Sequence, residues 1–276
     1  MSEFINRPLS RRGFLGGATV AAGLGLTACG GQQQQTTEAP SGKEGGGTIS
    51  AGTAYSTQNY DPSTTSSALA LGVNWQVVEG LYGLNYHDYS TFNELATADP
   101  KKVDDYTFEI TLRDGAKFSD GNEVKADDVV ESFNRSAAKG SVYVPMLSPI
   151  ASVMKKDDKT VTVKTVIANF SLLKERLSIV RVVPASSSQD EMKKQPVGSG
   201  PWQFESISDN TLDLVPNTNY NGATPAKDEN LHYDVLKDPT ARLTAQQDGT
   251  TLAMEMVPAD AVEQLKGAGC TVDAVQ

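Results

Sequence analysis

The sequence predicts a mixed α/β (α+β) fold, because short segments with strand and helix patterns alternate from residue 48 onward. The clearest of these segments spans residues 107–134. Its apolar residues Phe108, Ile110 and Leu112 alternate with polar ones, which predicts a strand with one buried face. A hydrophobic fraction of 38% supplies a core without indicating a membrane bundle.

Turns and a helix follow this strand within the same segment. The dipeptides Asp114-Gly115 and Asp120-Gly121 are typical of turns. Beyond them, Val129 and Phe133 recur at helical spacing, and the pair Asp127-Asp128 lies in the first helical turn, where acidic residues favour the helix dipole. We therefore expect a strand, a glycine-containing loop and a helix in close succession.

The other elements are predicted by the same two periodicities, two residues for strands and about 3.6 for helices. A helix carries Leu69, Val73 and Val77, with Ser66 or Ser67 as its N-cap. The remaining predictions are a strand at 48–55, an irregular connection at 145–149, a strand at 161–164, a short helix at 170–177, a buried strand at 179–183, a tight turn at 196–202, strands at 202–204, 212–216 and 232–236, a helix at 239–247 with Leu243 inward, a strand at 250–256, a helix at 259–265 and a strand at 270–272.

The charge distribution argues against a nucleic-acid partner. The chain carries a formal net charge of −10. Arg7, Arg11 and Arg12 against Glu3 give +2 in the first 29 residues, so the remainder carries −12. Affinity for nucleic acid comes from lysine and arginine on phosphates, which this acidic chain offers poorly. We interpret the acidity as a source of solubility outside the cell.

The N-terminus carries an export signal and a lipid-anchor signal. Arg11 and Arg12, followed by Gly-Phe-Leu, match the twin-arginine export pattern. The uncharged run that follows has about 16 residues, fewer than the roughly 20 that span a bilayer. It ends in small residues before Cys29, as in the lipobox of bacterial lipoproteins, which predicts cleavage before Cys29 and lipidation of its sulfur. The alternative is a plain signal peptide with an incidental cysteine.

These signals divide the chain into three parts. We predict a signal peptide at 1–28, a flexible tether at 29–47 that is rich in Gln, Thr, Ser, Pro and Gly, and a folded part at 48–276. The folded part would be extracytoplasmic and held at the membrane through lipid on Cys29. Lipidation would leave Cys270 without a disulfide partner, and we expect Cys270 to be a buried strand thiol.

Patterns for catalysis are missing from the sequence. His87 and His232 have no second ligand at metal-binding spacing, and no phosphate-binding or dinucleotide-binding glycine motif occurs. Ser199 lies in Gly-Ser-Gly directly before Pro201, which predicts a tight turn rather than a nucleophile elbow. We therefore predict a protein that is not an enzyme and has no cofactor or metal. An extracytoplasmic hydrolase that uses Ser199 is the weakest alternative.

Four segments, taken together and in order, resemble motifs of the extracellular solute-binding proteins of family 5. These are peptide-, dipeptide- and nickel-binding lipoproteins of ABC importers. Residues 106–129 resemble the family's Tyr-Thr-Phe strand, its Leu-Arg-Asp-Gly and Lys-Phe-x-Asp-Gly motifs and its Asp-Asp-Val helix. Residues 196–202 resemble its Val-Gly-Thr-Gly-Pro-Tyr motif, 214–222 its Asn-x-x-Tyr-x-Gly motif and 240–249 its Ala-Leu-x-x-Gly helix.

The sequence also departs from the family pattern. Ser119 stands where His is usual, residues 250–253 replace an Ile-Asp pair, and Lys125 replaces a Thr that often caps the helix. Because a lysine side chain cannot accept a hydrogen bond, we expect a weaker cap at Lys125. The largest departure is length, since the chain stops at about half the length of family members.

The resemblance implies a periplasmic-binding-protein-like fold of type II, with two lobes joined by a hinge. From the length of the chain we expect the first lobe only, with the second lobe absent. In peptide-binding members the groups that fix the charged peptide termini lie largely in the second lobe. They therefore have no counterpart among residues 48–276.

The resemblance also implies a function, the capture of peptides outside the membrane and their delivery to an ABC permease. Contacts from the first lobe are expected in loops at strand ends. The predicted ligand-binding residues are Tyr55, Ser56, Gln58, Asn59 and Tyr82, with the alternative that Tyr82 and Trp75 belong to the core. The ligand stays open among peptides, nickel, haem and oligosaccharides. The second hypothesis is a truncated surface-anchored interaction protein with no transport role.

Overall fold

Two β-sheets, a small hairpin and seven α-helices make up residues 46–273, the part of the chain that the computed structural model describes. The predicted mixed α/β class is confirmed. In chain order the elements are β1 (Thr48–Thr53), α1 (Ala68–Val77), β2 (Tyr82–Leu84), β3 (Thr91–Asn93), β4 (Lys101–Lys102), β5 (Thr107–Thr111), α2 (Ala126–Ser136), α3 (Val144–Leu147), β6 (Ile150–Asp157), β7 (Thr160–Thr165), α4 (Leu173–Leu177), α5 (Gln189–Lys194), β8 (Trp202–Ile207), β9 (Thr211–Pro216), β10 (Asn230–Val235), α6 (Pro239–Gln247), β11 (Ala253–Met254), a 3-10 turn at Ala259–Ala261 and α7 (Val262–Gly267).

The larger sheet has the strand order β11-β1-β10-β9-β8. Strand β1 is parallel to both of its neighbours, pairing Thr53 with Val235 of β10 and Gly52 with Met254 of β11. Strands β9 and β8 complete the sheet in antiparallel fashion. The carboxyl ends of β1, β10 and β11 therefore meet at one edge of this sheet.

Helix α1 packs into the core of the larger sheet. Its Leu69, Val73 and Val77 repeat at helical spacing, and all three are buried together with Phe204 of β8 and Leu214 of β9. Burial stabilises the fold by about 1.5–3 kcal/mol for each such side chain. The apolar periodicity of α1 is thus what fixes this helix on the sheet.

The smaller sheet has the order β4-β5-β7-β6, with every neighbouring pair antiparallel. Phe108 and Ile110 of β5 stand opposite Val163 and Val161 of β7. These four side chains share one buried core with Val129 of α2. The predicted alternation of residues 107–111 and the predicted strand around residue 162 are confirmed.

The predicted turns and helix after β5 are also confirmed. Gly115 has φ +68° and Gly121 has φ +89°, in the left-handed region that glycine adopts without a steric penalty. Helix α2 then begins with an acidic first turn. The backbone N–H of Lys125 donates to Asp128 Oδ2 at 2.8 Å, while the lysine side chain makes no cap hydrogen bond.

Two predictions in the middle of the chain were wrong, and one strand was missed. The connection at 145–149 contains the short helix α3, with Pro145 in its first turn. Strand β6 was missed because bulges between Ile150 and Ser152 and near its other end break the alternation that marks a strand. Residues 179–183 form no strand, since Ile179 belongs to the turn after α4 and the only pairing is a single bridge between Arg181 and Gly80.

The C-terminal predictions need correction as well. The strand expected at 250–256 is reduced to the two residues of β11, and residues 270–272 form no strand. Cys270 is half-buried, and its N–H donates to a carbonyl at the end of α7. In α6 the buried side chain is Arg242 rather than Leu243, because the guanidinium donates to carbonyls at the end of β10.

Helix α5 was missed although its sequence carries a capping signature. Ser188 Oγ accepts a hydrogen bond from the Glu191 N–H, and the Ser188 N–H donates to Glu191 Oε2 at 2.7 Å. This reciprocal pair is the Ser-x-x-Glu capping box. At α1, by contrast, the predicted Ser67 occupies the N-cap position without a side-chain cap hydrogen bond.

The predicted signal peptide at 1–28, its Arg11 and Arg12, Cys29 and all but the last two residues of the tether lie outside the described residues. Within residues 46–273, none of the helices combines the length and the apolar character that a bilayer span requires.

Candidate functional site

The edge where three parallel strands end is the first feature of the site. Ligands of open α/β sheets bind outside the carboxyl ends of such strands. Here Thr53, at the end of β1, donates from Oγ1 to Glu255 Oε1 at 2.5 Å, and the Ala54 N–H donates to the same oxygen at 3.1 Å. The segment after β11 is thus tied to the start of the loop after β1, and this loop spans residues 54–67.

The loop after β1 contains four of the predicted ligand-binding residues. They differ in exposure and in hydrogen-bond partners. Tyr55 and Ser56 are exposed beside the strand ends. Gln58 Nε2 donates to Asp209 Oδ1 at 3.1 Å, so this side chain crosses to the β8–β9 turn. Asn59 is used within the loop, since its Nδ2 donates to Thr64 Oγ1 at 3.2 Å.

Tyr82 has no exposed surface at all. Its hydroxyl donates to the Ala98 carbonyl at 3.0 Å, and burial raises the pKa of this phenol well above its ordinary value. The structure therefore favours the alternative that Tyr82 belongs to the core.

A small pocket of about 190 Å³ lies between α1, the tip of the β2–β3 hairpin, the start of α3 and residues 179–181 after α4. Its lining is mostly aromatic and apolar, with one charged side chain. The lining residues are Pro62, Leu71, Asn74, Trp75, Tyr86, Tyr143, Ile179 and Arg181. Since Pro62 belongs to the loop after β1, that loop extends from the strand ends to the rim of the pocket.

Arg181 is the charged residue of this pocket, and its side chain is only 4% exposed. The guanidinium carbon lies 3.3 Å from the centre of the Trp75 ring. Nη1 donates to Glu94 Oε2 at 2.8 Å and to the Val78 carbonyl at 3.3 Å. Nε and Nη2 have no hydrogen-bond partner among the described residues. Arg181 thus brings a buried positive charge to the lining of the pocket.

Aromatic side chains form the walls around Arg181. The Tyr86 ring meets the Trp75 ring edge-on, with centroids 5.1 Å apart, and Tyr143 donates from its hydroxyl to the Thr65 carbonyl at 3.0 Å. Burial raises the pKa of both phenols, while the positive charge of Arg181 lowers it. Aromatic walls with few polar groups are typical of small-molecule sites.

A buried network of charged side chains is connected to the pocket through Arg181. Arg113 donates from Nη1 and Nη2 to the two carboxylate oxygens of Glu79, at 2.7 and 2.8 Å. Arg113 Nη1 also donates to the Glu94 carbonyl at 2.6 Å, and Glu94 Oε2 accepts from the Gly80 N–H at 2.6 Å. Burial raises the pKa of Glu79, and the hydrogen bonds from Arg113 oppose this. Glu94 therefore connects the Glu79–Arg113 pair to Arg181.

A second hollow, of about 270 Å³, lies between α1, β1, Tyr233 and β11. Its lining is mainly apolar, and the polar Gln76 in it is already engaged, donating to the Tyr233 hydroxyl at 2.7 Å. Because this hollow offers no buried unsatisfied cation, the Arg181 pocket is the better candidate site. No cluster of three or more potential metal ligands occurs within residues 46–273.

Sequence reasoning missed most residues of this pocket. Tyr86, Tyr143 and Arg181 were not among the predicted ligand-binding residues. One signal was present, since Arg181 is a lone charge within the apolar run Ile-Val-Arg-Val-Val, and a buried arginine is rare without a specific role. The pocket itself joins segments that are far apart in the chain, which no local pattern reveals.

Known proteins resemble this chain in sequence and in fold. A sequence model of a protein family, described as bacterial extracellular solute-binding proteins, family 5 Middle, matches residues 92–272. A putative ABC transporter peptide-binding protein of Brucella ovis is 31% identical over 157 residues, 52% of this chain and 29% of that protein. The nickel-binding periplasmic protein of Escherichia coli is 29% identical over 174 residues, 59% of this chain and 32% of that protein.

Solved structures agree on the fold. The oligopeptide-binding protein AppA of Bacillus subtilis, in complex with a nonapeptide, superposes with a TM-score of 0.71 at 21% identity and covers 81% of this chain and 46% of its own. AgaA of A. tumefaciens R10, in complex with agropinic acid, gives a TM-score of 0.73 at 23% identity, with 80% and 46% covered. The chain thus spans about half the length of these proteins, or less.

The family model matches well over half of the chain. The matched range includes most of β3, the smaller sheet, Arg181 and most of the larger sheet. The resemblance inferred from four sequence segments is confirmed by this match. The chain belongs to the bacterial extracellular solute-binding proteins of family 5.

Proposed function

We propose that this chain captures a small solute, with peptides as the first candidates, outside the membrane for delivery to an ABC permease. The observation that carries the proposal is the Arg181 pocket, where aromatic side chains surround a buried guanidinium group. Relatives named as peptide-binding proteins of ABC transporters support the solute class. Nickel is the second candidate, because another relative is named for it.

The solute would contact two neighbouring parts of the protein. An extended peptide can bind by main-chain hydrogen bonds to exposed backbone, as in the addition of a strand to a sheet. Tyr55 and Ser56 are exposed next to the ends of β1, β10 and β11. The Tyr55 N–H already donates to Thr53 Oγ1 at 3.2 Å, so Ser56 is the better candidate for main-chain contacts. The loop that begins there contributes Pro62 to the lining of the pocket.

Binding would be completed by closure of a second lobe. The solved relatives are about twice as long as the matched region. In proteins with two lobes and a hinge, closure around the ligand removes it from water. The surface described here would then be one wall of the binding cleft.

Export and anchoring belong to the same proposal. Arg11 and Arg12 would direct the chain through twin-arginine export, and lipid on Cys29 would retain it at the membrane surface. A single acyl chain holds a protein only reversibly, so stable anchoring needs more than one. Replacement of Cys29 by Ser should release the protein into the soluble fraction, whereas replacement of Cys270 should not.

Isothermal titration tests the binding claim. The 276-residue chain with Cys29→Ser would be titrated with a peptide library and with nickel salts. We expect heat with at least one peptide, and a loss of affinity in Trp75→Ala, which removes a pocket wall. Tyr106→Ala is the matched control, because Tyr106 is an exposed aromatic at the β4–β5 turn that lines neither of the two hollows described above. Heat with nickel alone, or equal loss in both variants, would contradict the peptide proposal.

A further inference from the structure

We propose that the second hollow, between α1, β1 and β11, binds an ammonium group carried on a short apolar chain. Glu255 supplies the opposite charge, and the walls of the hollow contact the carbon atoms. This site is separate from the Arg181 pocket. The inference therefore goes beyond the proposed function and does not require the solute to be a peptide.

Glu255 is held at the carboxyl end of β1 by three hydrogen bonds. Its N–H donates to the Gly52 carbonyl at 3.3 Å. Its Oε1 accepts from Thr53 Oγ1 at 2.5 Å and from the Ala54 N–H at 3.1 Å. Because Thr53 is only 4% exposed, one oxygen of the carboxylate is fixed against buried structure. The site thus lies where ligands of open α/β sheets bind.

The charge of Glu255 is not balanced by a neighbouring cation. Within residues 46–273, Glu255 takes part in no ion pair. The nearby Arg242 donates instead to the carbonyls of Leu236, Lys237 and Met256. Since Glu255 is exposed and lines the hollow, a cation that enters the hollow can pair with this carboxylate.

The walls of the hollow favour carbon atoms next to the charged group. Leu69, Val73 and Met254 belong to the lining. The amide of Gln76 is already engaged, because it donates to the Tyr233 hydroxyl at 2.7 Å. A second polar group on the ligand would lose water here without gaining a comparable partner. An apolar chain that ends in a single cation suits the site best.

The space is open because α1 contributes Gly72 to the lining. A Cβ at Gly72 would meet no atom within 4 Å. An apolar cavity of about 150 Å³ can hold benzene, so about 270 Å³ is enough for a short alkyl chain or one ring. A larger side chain at position 72 therefore offers a way to fill the hollow without changing Glu255.

Nuclear magnetic resonance of methionine methyl groups tests the inference with a small probe. The 276-residue chain with Cys29→Ser would be titrated at pH 7 with 1-pentylamine, which is protonated there as a lysine side chain is. We expect a saturable shift of the Met254 methyl signal, because Met254 lines the hollow. Met146 packs against the core of the smaller sheet, and its signal should stay in place. No saturable shift of Met254 overturns the inference.

Related probes separate the charge from the apolar chain. 1-Pentanol lacks the charge and methylamine lacks the chain, and each should bind at least about tenfold more weakly than pentylamine. Pentanoate carries the opposite charge. It is included because the first turn of α1 contributes Ala68 to the lining, and helix N-termini favour anions. Binding of pentanol or pentanoate as tight as that of pentylamine overturns the ammonium assignment.

Two matched variants test the role of Glu255. Glu255→Gln removes the charge and keeps an oxygen that can accept from Thr53 and Ala54. It should weaken pentylamine about tenfold or more and leave pentanol unchanged. Glu263→Gln is the control, because Glu263 is exposed, pairs with Lys266 and is not part of the lining. Equal affinities of the two variants for pentylamine overturn the inference.

A filling variant tests the location. Gly72→Leu should abolish the binding of both pentylamine and pentanol, and urea unfolding of the same sample shows whether the variant is folded. Pentylamine that binds a folded Gly72→Leu chain as it binds the unmodified chain overturns the assignment to this hollow.

Two competitors identify the source of the ammonium group. Nα-acetyl-lysine amide carries only a side-chain ammonium, and leucine amide carries only an α-ammonium beside an apolar side chain. Displacement of pentylamine by the first supports a lysine-like side chain as the ligand group. Displacement by the second supports an amino terminus, and displacement by neither supports a free amine.

The outcomes separate this inference from the proposed function. Peptide binding in calorimetry without any pentylamine shift at Met254 overturns the inference and leaves the proposed function standing. A pentylamine shift that depends on Glu255, together with no peptide binding, supports the inference and overturns peptide capture.

Discussion

Arg181 and Trp75 are stacked, with the guanidinium carbon 3.3 Å from the centre of the indole ring. The contact joins the extended segment after α4 to helix α1, two parts of the chain that the sequence separates by more than 100 residues. A desolvated cation–π contact contributes about 2 kcal/mol. It also fixes the guanidinium orientation on which the proposed site depends.

Removal of the indole should affect both stability and binding. Trp75→Ala should lower the free energy of unfolding by about 2 kcal/mol or more, because it removes the cation–π contact and the packing against Tyr86. Trp75→Phe keeps a ring and should cost less. Urea unfolding of the three proteins measures this order, and equal losses in Ala and Phe would show that the ring face is unimportant.

Glu94 should be essential for keeping a positive charge in the interior. Glu94→Gln removes the partner of Arg181, whose side chain is 4% exposed, and breaking such a buried pair costs about 3–5 kcal/mol. Glu263→Gln is the control, because the Glu263–Lys266 pair is exposed and should contribute little. Thermal or urea unfolding compares the two. A Glu94 variant as stable as the Glu263 variant would contradict the buried network.

Gly198 should tolerate no side chain. A Cβ at this position would lie 2.0 Å from the Val77 carbonyl oxygen at the end of α1, so the backbone would have to move. Gly198→Ala should cost about 1–3 kcal/mol or more. Gly72→Ala is the matched control inside α1, where a Cβ meets nothing within 4 Å, and it should stabilise by up to about 1 kcal/mol. Stabilisation by both would refute the close approach.

His232 should make stability depend on pH. Its Nδ1 lies 2.6 Å from Asp213 Oδ1 and its Nε2 lies 3.3 Å from Asp234 Oδ1, and the hydrogen bond to Asp213 is the main reason that its pKa is raised above 6.5. The folded-state pKa is therefore above the unfolded value. The contribution to stability is complete below about pH 6.5 and is lost as the pH rises through the folded-state pKa.

The variant His232→Gln checks this sign. The difference in unfolding free energy between the unmodified chain and the variant should shrink between pH 6 and pH 9, measured by urea unfolding at each pH. His87→Gln at an exposed position is the control for a histidine-to-glutamine change, and it should alter the free energy of unfolding little. If the difference in unfolding free energy between the unmodified chain and His232→Gln grew with pH, the pKa of His232 would not be raised in the folded state.

Local patterns were enough to predict the segment from β5 to α2. Phe108 and Ile110 alternate, Gly115 and Gly121 mark turns, and the acidic pair before Val129 marks the helix start. Each of these features depends on neighbours within a few residues. The predicted strand at 48–55 and the predicted helix before residue 78 have the same local origin.

Other features depend on contacts that no local pattern contains. The bulges of β6 disrupt its alternation, so the strand is held by pairing with β7 rather than by its own sequence pattern. The run around Arg181 looks like a strand in sequence, yet it forms only a bridge to Gly80. The glycines at 198 and 200 were attributed to a turn, whereas the structure requires them for close approach to the end of α1.

The candidate site was the least predictable part. Trp75, Tyr86, Tyr143 and Arg181 come from four separate segments and meet only after the two sheets and α1 have packed. The resemblance implies ligand contacts in loops at strand ends, and Tyr55 and Ser56 are exposed in such a loop. Whether those residues contact a ligand stays a prediction.

The indole N–H signals of the two tryptophans test the central claim most directly. Trp75 lines the pocket, whereas Trp202 is buried in the core of the larger sheet. When a peptide that gives heat in calorimetry is added to the chain, we expect the Trp75 signal to shift in proportion to occupancy and the Trp202 signal to stay in place. Saturating peptide that leaves the Trp75 signal unmoved would contradict the claim that this pocket is the solute-binding site.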